Sequence, residues 1–357
     1  MNAPAIPALA RAPAERRGLV YPFGTAAPDA GTVAEVAPGV LWLRMPLPFA
    51  LDHINLWLLD GGDHWALVDT GLGLPDVARH WRRLLAGPLA GKPIGRLVVT
   101  HYHPDHIGLA GWLAREAGVC LETSRGEYFL ARALALDASP TPPPEVVAFY
   151  RAHGWREAEL TGLTAAGWGG YARGVSPLPA GFRRLQPGDQ LRIGGRVWQV
   201  WIGAGHSPEH VCLFCPAERI LIAGDQLLPR ITSNVSVYPT EPEANPLADW
   251  LESLARLQDL PEETLVLPAH NEPFLGLHAR ARQIEADHRR RLERLADALR
   301  GPTSARETLP TLFGRPIAAT ELMMATGEAV AHLNWLVAQG LARRARQEGR
   351  FVFQAVS

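Results

Sequence analysis

The stretch RLVVTHYHPDH, residues 96–106, runs from an apolar segment straight into four ligand-type side chains. The apolar part, ending at Thr100, reads as a strand. In extended chain, residues two apart point the same way, so His101 and His103 can grip one metal ion together. Pro104 turns the chain, and Asp105 and His106 then face a neighbouring position. Buried without a cation, four such groups would be costly. The competing reading is a cluster of solvated surface histidines, and three further residues in matching contexts weigh against it. His206 stands in GAGHS (203–207) after the strand-like VWQVWI (197–202), Asp225 follows ILIAG (220–224), and His270 follows TLVLPA (264–269). Alone, each reads as a structural residue at a strand end. If these strands run roughly parallel, their ends converge on one rim, which places ligands on rigid elements.

Outward from this stretch, VLWLRM (40–45), INLWLLD (54–60), HWALVDT (64–70) and GVCLE (118–122) read as strands, with a helix over 75–86 and another from about 107. Residues 125–180 break the alternation and predict several short helices, one near 144–153 entered through Pro142, Pro143 and Pro144. An insertion of this length is often a lid or binding segment, and it carries Tyr150, Trp155, Trp168 and Tyr171. A helical decoration packed by its own aromatics is an equal reading. Strands return at 191–203, 210–215, 219–224 and 264–268, with a helix over 245–258. Two strand-rich blocks, each with helices, predict an α/β fold layered as an αββα sandwich. Residues 1–31 are rich in Ala, Pro and Gly without periodicity and read as an extended or partly disordered arm. Past residue 276 the composition shifts. An Arg-rich amphipathic helix over 278–300 is followed by SARETLPTLFG, a helix near 317–325, GEAVAHLNWLVAQG, and the runs LARRA and RFVFQ on either side of Gln347, Glu348 and Gly349. Three helices and a β-hairpin make a winged-helix pattern. The expected organisation is an arm (1–31), a catalytic domain (32–275) and a winged-helix-like domain (276–357). A chain cut near 276 is then expected to keep its metal ions.

The motif His101-Tyr102-His103-Pro104-Asp105-His106, with His206, Asp225 and His270 in that order, resembles the ligand set of the metallo-β-lactamase superfamily over roughly residues 32–275. The resemblance implies one ion held by His101, His103 and His206, a second held by Asp105, His106 and His270, and Asp225 bridging the two. It is closer to glyoxalase II and related hydrolases than to true β-lactamases, in which a Cys usually replaces the bridging Asp. No ligand of the pattern is missing. Asp69, in LVDTG (67–71), matches a further family position, where a carboxylate could orient a ligand histidine through its second nitrogen. The implied mechanism is attack by a hydroxide shared between two divalent ions, with Asp105 helping to orient it. Imidazole and carboxylate suit zinc, iron and manganese alike, with zinc the default. His210 reads as structural, and Tyr238 and His53 are weaker candidates for substrate contact.

Composition narrows the partners. The chain has 357 residues, 47% of them hydrophobic, and a formal net charge of −1, so nothing in the whole-chain charge favours nucleic acid or an acidic membrane. Lys92 is the single lysine. Cys120, Cys212 and Cys215 make no disulfide framework, and Cys212 and Cys215 lack the second pair a zinc site needs. GLG at 71–73 lacks the rest of a dinucleotide fingerprint. With no signal-peptide core and no bilayer-length apolar run, the cytoplasm is the default location. Three substrate classes compete. A thioester of acyl-CoA or acyl-glutathione type ranks first, because an acyl chain suits the aromatic insertion. Single-stranded RNA ranks second, because the tail resembles the winged-helix domain of a subgroup that includes an animal mitochondrial endoribonuclease, and residues 279–357 hold 13 Arg against 8 acidic residues. A lactone ranks third. A transcription factor would not need seven intact ligands, and its recognition helix, GEAVAHLNWLVAQG, has no Arg or Lys. The insertion and the Arg-rich helix are each candidate surfaces for a homodimer.

Overall fold

The structure, a computed structural model, describes residues 6–356. A hairpin of β1 (Ala14–Arg16) and β2 (Leu19–Tyr21) opens it. A seven-stranded sheet follows, built from β3 (Val33–Ala37), β4 (Val40–Pro46), β5 (His53–Asp60), β6 (Trp65–Val68), β7 (Ile94–Val98), β8 (Leu121–Thr123) and β9 (Arg183–Arg184) in that spatial order. Helix α1 (Pro75–Ala86) joins β6 to β7, and α2 (Pro104–Ile107) and α3 (Ala110–Ala117) join β7 to β8. The insertion between β8 and β9 holds α4 (Arg125–Leu136), α5 (Pro144–Ala152), α6 (Glu157–Ala165) and α7 (Gly170–Arg173). Strands joined by short loops pair antiparallel, and those joined through helices pair parallel, as crossover connections require. The second sheet runs β10 (Gln190–Ile193), β11 (Arg196–Gly203), β12 (His210–Cys215), β13 (Ile220–Gly224) and β14 (Leu265–Pro268), with α8 (Pro246–Leu257) crossing between β13 and β14 to make them parallel. Then come α9 (Leu277–Ala298), α10 (Ala305–Phe313), α11 (Leu322–Ala338) and the hairpin β15 (Ala342–Gln347) and β16 (Arg350–Ala355).

Period-two alternation assigns the layers. Val40 and Trp42 of β4 face the second sheet, while Leu41, Leu43 and Met45 face the helices outside the first. The space between the sheets is filled by Trp42, Trp57, Trp198, Val211 and Ile222. Trp81 of α1 and Leu113 of α3 cover the first sheet, and Trp250 of α8 and Ile284 of α9 cover the second. This is the αββα sandwich, followed by the helical module and its hairpin. The same alternation puts Cys212 and Cys215, three apart on β12, in the cores on opposite faces, so they cannot share an ion. Among the described residues no helix is long and apolar enough to cross a membrane.

Two expectations change. The expected arm carries structure: Leu19, Tyr21 and Phe23 alternate into the core, and Arg17 and Gly18, both at positive φ, form the two-residue turn of the hairpin. Three apolar residues among so many Ala and Pro were too few to register as a pattern; residues 1–5 of the arm lie outside the described residues. In the tail, the separate helix near 317–325 and GEAVAHLNWLVAQG are one helix, α11. Gly327 does not break it. A Cβ there would stand 2.8 Å from the Ser236 Cβ and the Val237 carbonyl, so this glycine permits close packing.

Candidate metal centre

The seven ligand candidates meet at one rim. Because β13 and β14 are parallel, the residues past their ends, Asp225 and His270, lie side by side, and Ala269 N donates to Gly224 O at 2.9 Å. The Val211 amide donates to Thr100 O at 2.8 Å and ties the second sheet to the segment that carries His101. Two groups result, His101, His103, His206 and Asp225 in one and Asp105, His106 and His270 in the other, with the ligand atoms of each group within 4.8 Å of one another.

In the first group His101 Nε2 is 2.9 Å from His103 Nδ1 and 3.3 Å from His206 Nε2. Two nitrogens about 2.0–2.1 Å from one tetrahedral ion stand roughly 3.3 Å apart, so these separations fit a shared cation. Asp225 sits between the groups. Its Oδ2 is 3.3 Å from His206 Nε2 and 3.6 Å from His106 Nε2, and its Oδ1 is 3.4 Å from His270 Nε2. Asp105 Oδ2 lies 3.5 Å from His270 Nε2. His106 Nε2 and Asp225 Oδ1 are buried with no hydrogen-bond partner, an arrangement a cation between them would complete.

The far nitrogens of four ligand histidines are held. His106 Nδ1 donates to Asp69 Oδ2 at 2.7 Å, His101 Nδ1 to Thr100 Oγ1 at 3.0 Å, His206 Nδ1 to the Asn234 carbonyl at 2.7 Å and His270 Nδ1 to the His53 carbonyl at 2.9 Å. Each leaves its Nε2 lone pair aimed at the rim. Asp69 adopts φ 64°, left-handed for a residue with a side chain, and its carboxylate also accepts from Thr100 N at 2.7 Å. That bond and its bond to His106 hold the strained backbone in place.

Electrostatics follow from this packing. Burial and the neighbouring histidines push His101 well below the ordinary range, and burial with His206 takes His103 down to about 3. Both rings therefore offer free lone pairs at neutral pH. Burial raises Asp105, but His106 and His270 outweigh it and hold the carboxyl at about 2. Burial opposes the charge on His106, yet Asp69, Asp105 and Asp225 together raise it well above the usual value.

His210 joins neither group: its Nε2 accepts from the Asp225 amide at 3.1 Å, a supporting role. His53 likewise supports, accepting from Asn271 N at 3.0 Å while its carbonyl holds His270. Tyr238 is partly buried beside Tyr102, whose hydroxyl burial pushes far up. Sequence reasoning missed Glu127. This fully buried carboxylate accepts from Tyr102 N at 2.8 Å through Oε2, and from Ser207 Oγ and Glu209 N, both at 2.7 Å, through Oε1. It clamps the loop of His101 and His103 to the loop of His206. Its place four residues before the buried Ala131, on the inner face of α4, was the available signal. Asn55 was also missed; its Nδ2 donates to the Pro268 and Asn271 carbonyls on either side of His270.

Comparison with known proteins shows the family to which the chain belongs. Residues 50–270 match the family model for the metallo-β-lactamase superfamily, and residues 292–356 match the model for a metallo-β-lactamase-like C-terminal domain. The crystal structure of a β-lactamase domain protein from Burkholderia ambifaria superposes with a TM-score of 0.88 at 41% identity, over 95% of this chain and 98% of that one. A probable metallo-hydrolase of Bacillus subtilis is 27% identical over 84% of this chain and 92% of its own length. An acyl-coenzyme A thioesterase of Gallus gallus is 29% identical over 66% of this chain and 79% of its own.

Proposed function

The chain belongs to the metallo-β-lactamase superfamily, and from that premise we propose that it hydrolyses a thioester of acyl-CoA or acyl-glutathione type at a two-ion centre. His101, His103 and His206 would hold one ion, Asp105, His106 and His270 the other, and Asp225 would be shared by both. The observation that carries this reading is the carboxylate of Asp225, whose Oδ2 lies between His206 of one group and His106 of the other while its Oδ1 faces His270. Divalent ions held by these residues, zinc by default, would supply a nucleophile from water at neutral pH and polarise a carbonyl. Asp105, held ionised, accepts a hydrogen bond from the water and orients it. Water oxygen bonds to the acyl carbon, the C–S bond breaks, and a carboxylic acid and a thiol leave. Tyr171 of the insertion donates to the Tyr102 carbonyl at 2.6 Å and stacks near its ring, so an aromatic wall stands beside the ligand loop where an acyl chain could lie.

The acyl-coenzyme A thioesterase relative supports the thioester over RNA. So does the burial of α11 along most of its length, which leaves no recognition helix free for a groove. The test is metal content with hydrolysis of an acyl-CoA, lactoylglutathione, a homoserine lactone and a single-stranded RNA. Two ions per chain with thioester cleavage is the expected result. Cleavage of RNA or lactone alone moves the substrate class, and a metal-free chain removes the reading.

A further inference from the structure

Three of the four held ligand histidines draw their support from the first sheet. Asp69 and Thr100 follow β6 and β7, and His53 opens β5. His206 is the exception. Its Nδ1 donates to the carbonyl of Asn234, in a loop that returns over the rim after Asp225. That loop is fastened to the C-terminal helices. Asn234 Nδ2 donates to Glu328 Oε2 at 3.1 Å, and the Val237 amide donates to the Gly327 carbonyl at 3.1 Å. Ser236 Oγ donates to Asn234 Oδ1 at 2.6 Å and fixes which way the amide faces. Glu328 is about nine-tenths buried, and its other oxygen accepts from Arg291 Nη1 of α9 at 2.9 Å. A buried carboxylate paired this way is held in one orientation, because leaving Arg291 would strand a charge and leaving Asn234 would leave a buried oxygen unpaired.

We propose that Glu328, fixed by Arg291, is a positioning residue for the ion at His101, His103 and His206, acting on His206 through Asn234. The C-terminal module thereby braces His206, whereas His101, His106 and His270 are braced from the first sheet. A partner of this kind sets ring orientation and ligand basicity, and its loss typically costs about 10–100-fold in metal affinity or activity. An ion pair that merely locks α9 to α11 would affect overall stability and both ions alike.

The inference rests on the two-ion reading above, and the experiment separates their failures. Zinc-loaded full-length protein is mixed with a chromogenic chelator, and the release of each ion is timed alongside thermal unfolding. Glu328→Ala removes the anchor; Asn234→Ala removes the tether and leaves the Arg291–Glu328 pair intact, so it serves if the first variant fails to fold. The expected result is that one of two ions leaves about 10–100-fold faster while the other keeps its wild-type rate. Unchanged release of both ions in Asn234→Ala overturns the proposal and leaves the two-ion reading standing, and equal acceleration of both ions does the same. A wild-type chain that holds no zinc removes both.

Discussion

The histidines of the candidate centre are braced in two ways, and the half with His206 alone uses both. His101, His106 and His270 lean on Thr100, Asp69 and the His53 carbonyl, all on or just past strands of the first sheet. His206 leans on a loop carbonyl whose loop is held from residues 291 and 328. Local bracing survives as long as the sheet does. Remote bracing lasts only while the C-terminal helices are docked. The core beneath α8 includes Ile284, Leu292, Leu309 and Leu333 of those helices, so a cut near 276 would expose it. The expectation that such a cut leaves the metal ions undisturbed therefore does not fit the structure.

The largest effect should come from the one residue both halves share. Asp225→Ala is expected to lose both ions and to reduce hydrolysis beyond the roughly 100-fold that outer partners cost, with the far-ultraviolet dichroism of the fold retained. Normal turnover in that variant would take Asp225 out of the centre. Next is Asp69→Asn, which keeps a residue tolerant of left-handed backbone and removes the negative charge beside His106. Activity should fall about 10–100-fold, with the larger loss of affinity at the ion at Asp105, His106 and His270, because Asp69 touches His106 directly and His101 only through the Thr100 hydroxyl. An equal or larger loss at the other ion would contradict the direct brace from Asp69 to His106. The smallest effect concerns Glu127, which clamps the two loops together. Burial raises its carboxyl to about 7 in the folded protein, against an ordinary 4.5. The folded state therefore holds the proton more tightly, and the stabilisation, full at low pH, is lost as pH rises through that interval. Compared with Glu127→Gln, the wild-type melting temperature should decline between pH 4.5 and 7; a constant difference across that range would assign the carboxyl an ordinary titration.

The ligands were legible because the chemistry is local in sequence. HYHPDH packs four donors into six residues, and His206, Asp225 and His270 each follow an apolar run whose end is easy to find. The strands of both sheets were legible for the same reason, since period-two alternation is written residue by residue. The braces were not. Asn234, Glu328 and Arg291 are an ordinary amide, acid and base in a loop and on two helices, and only tertiary folding brings them together. Glu127 looked like any helix-opening glutamate until its face was known. The hairpin at 14–21 was lost among Ala and Pro because two buried side chains, Leu19 and Tyr21, carry its whole signal. Local periodicity reports which face is buried, whereas long-range hydrogen bonds leave no period to read.

The parallel pairing of β13 with β14 also bears on when the proposed centre would be complete enough to take up ions. His101 to His106 are synthesised long before His270, and the strand that carries His270 cannot pair until the α8 crossover is complete. Parallel, distant pairings of this kind form late in folding. An ion caught by the early motif on a growing chain would meet an incomplete cage, and the choice of metal would pass to the finished molecule, after the last helices have closed on the loop beside His206.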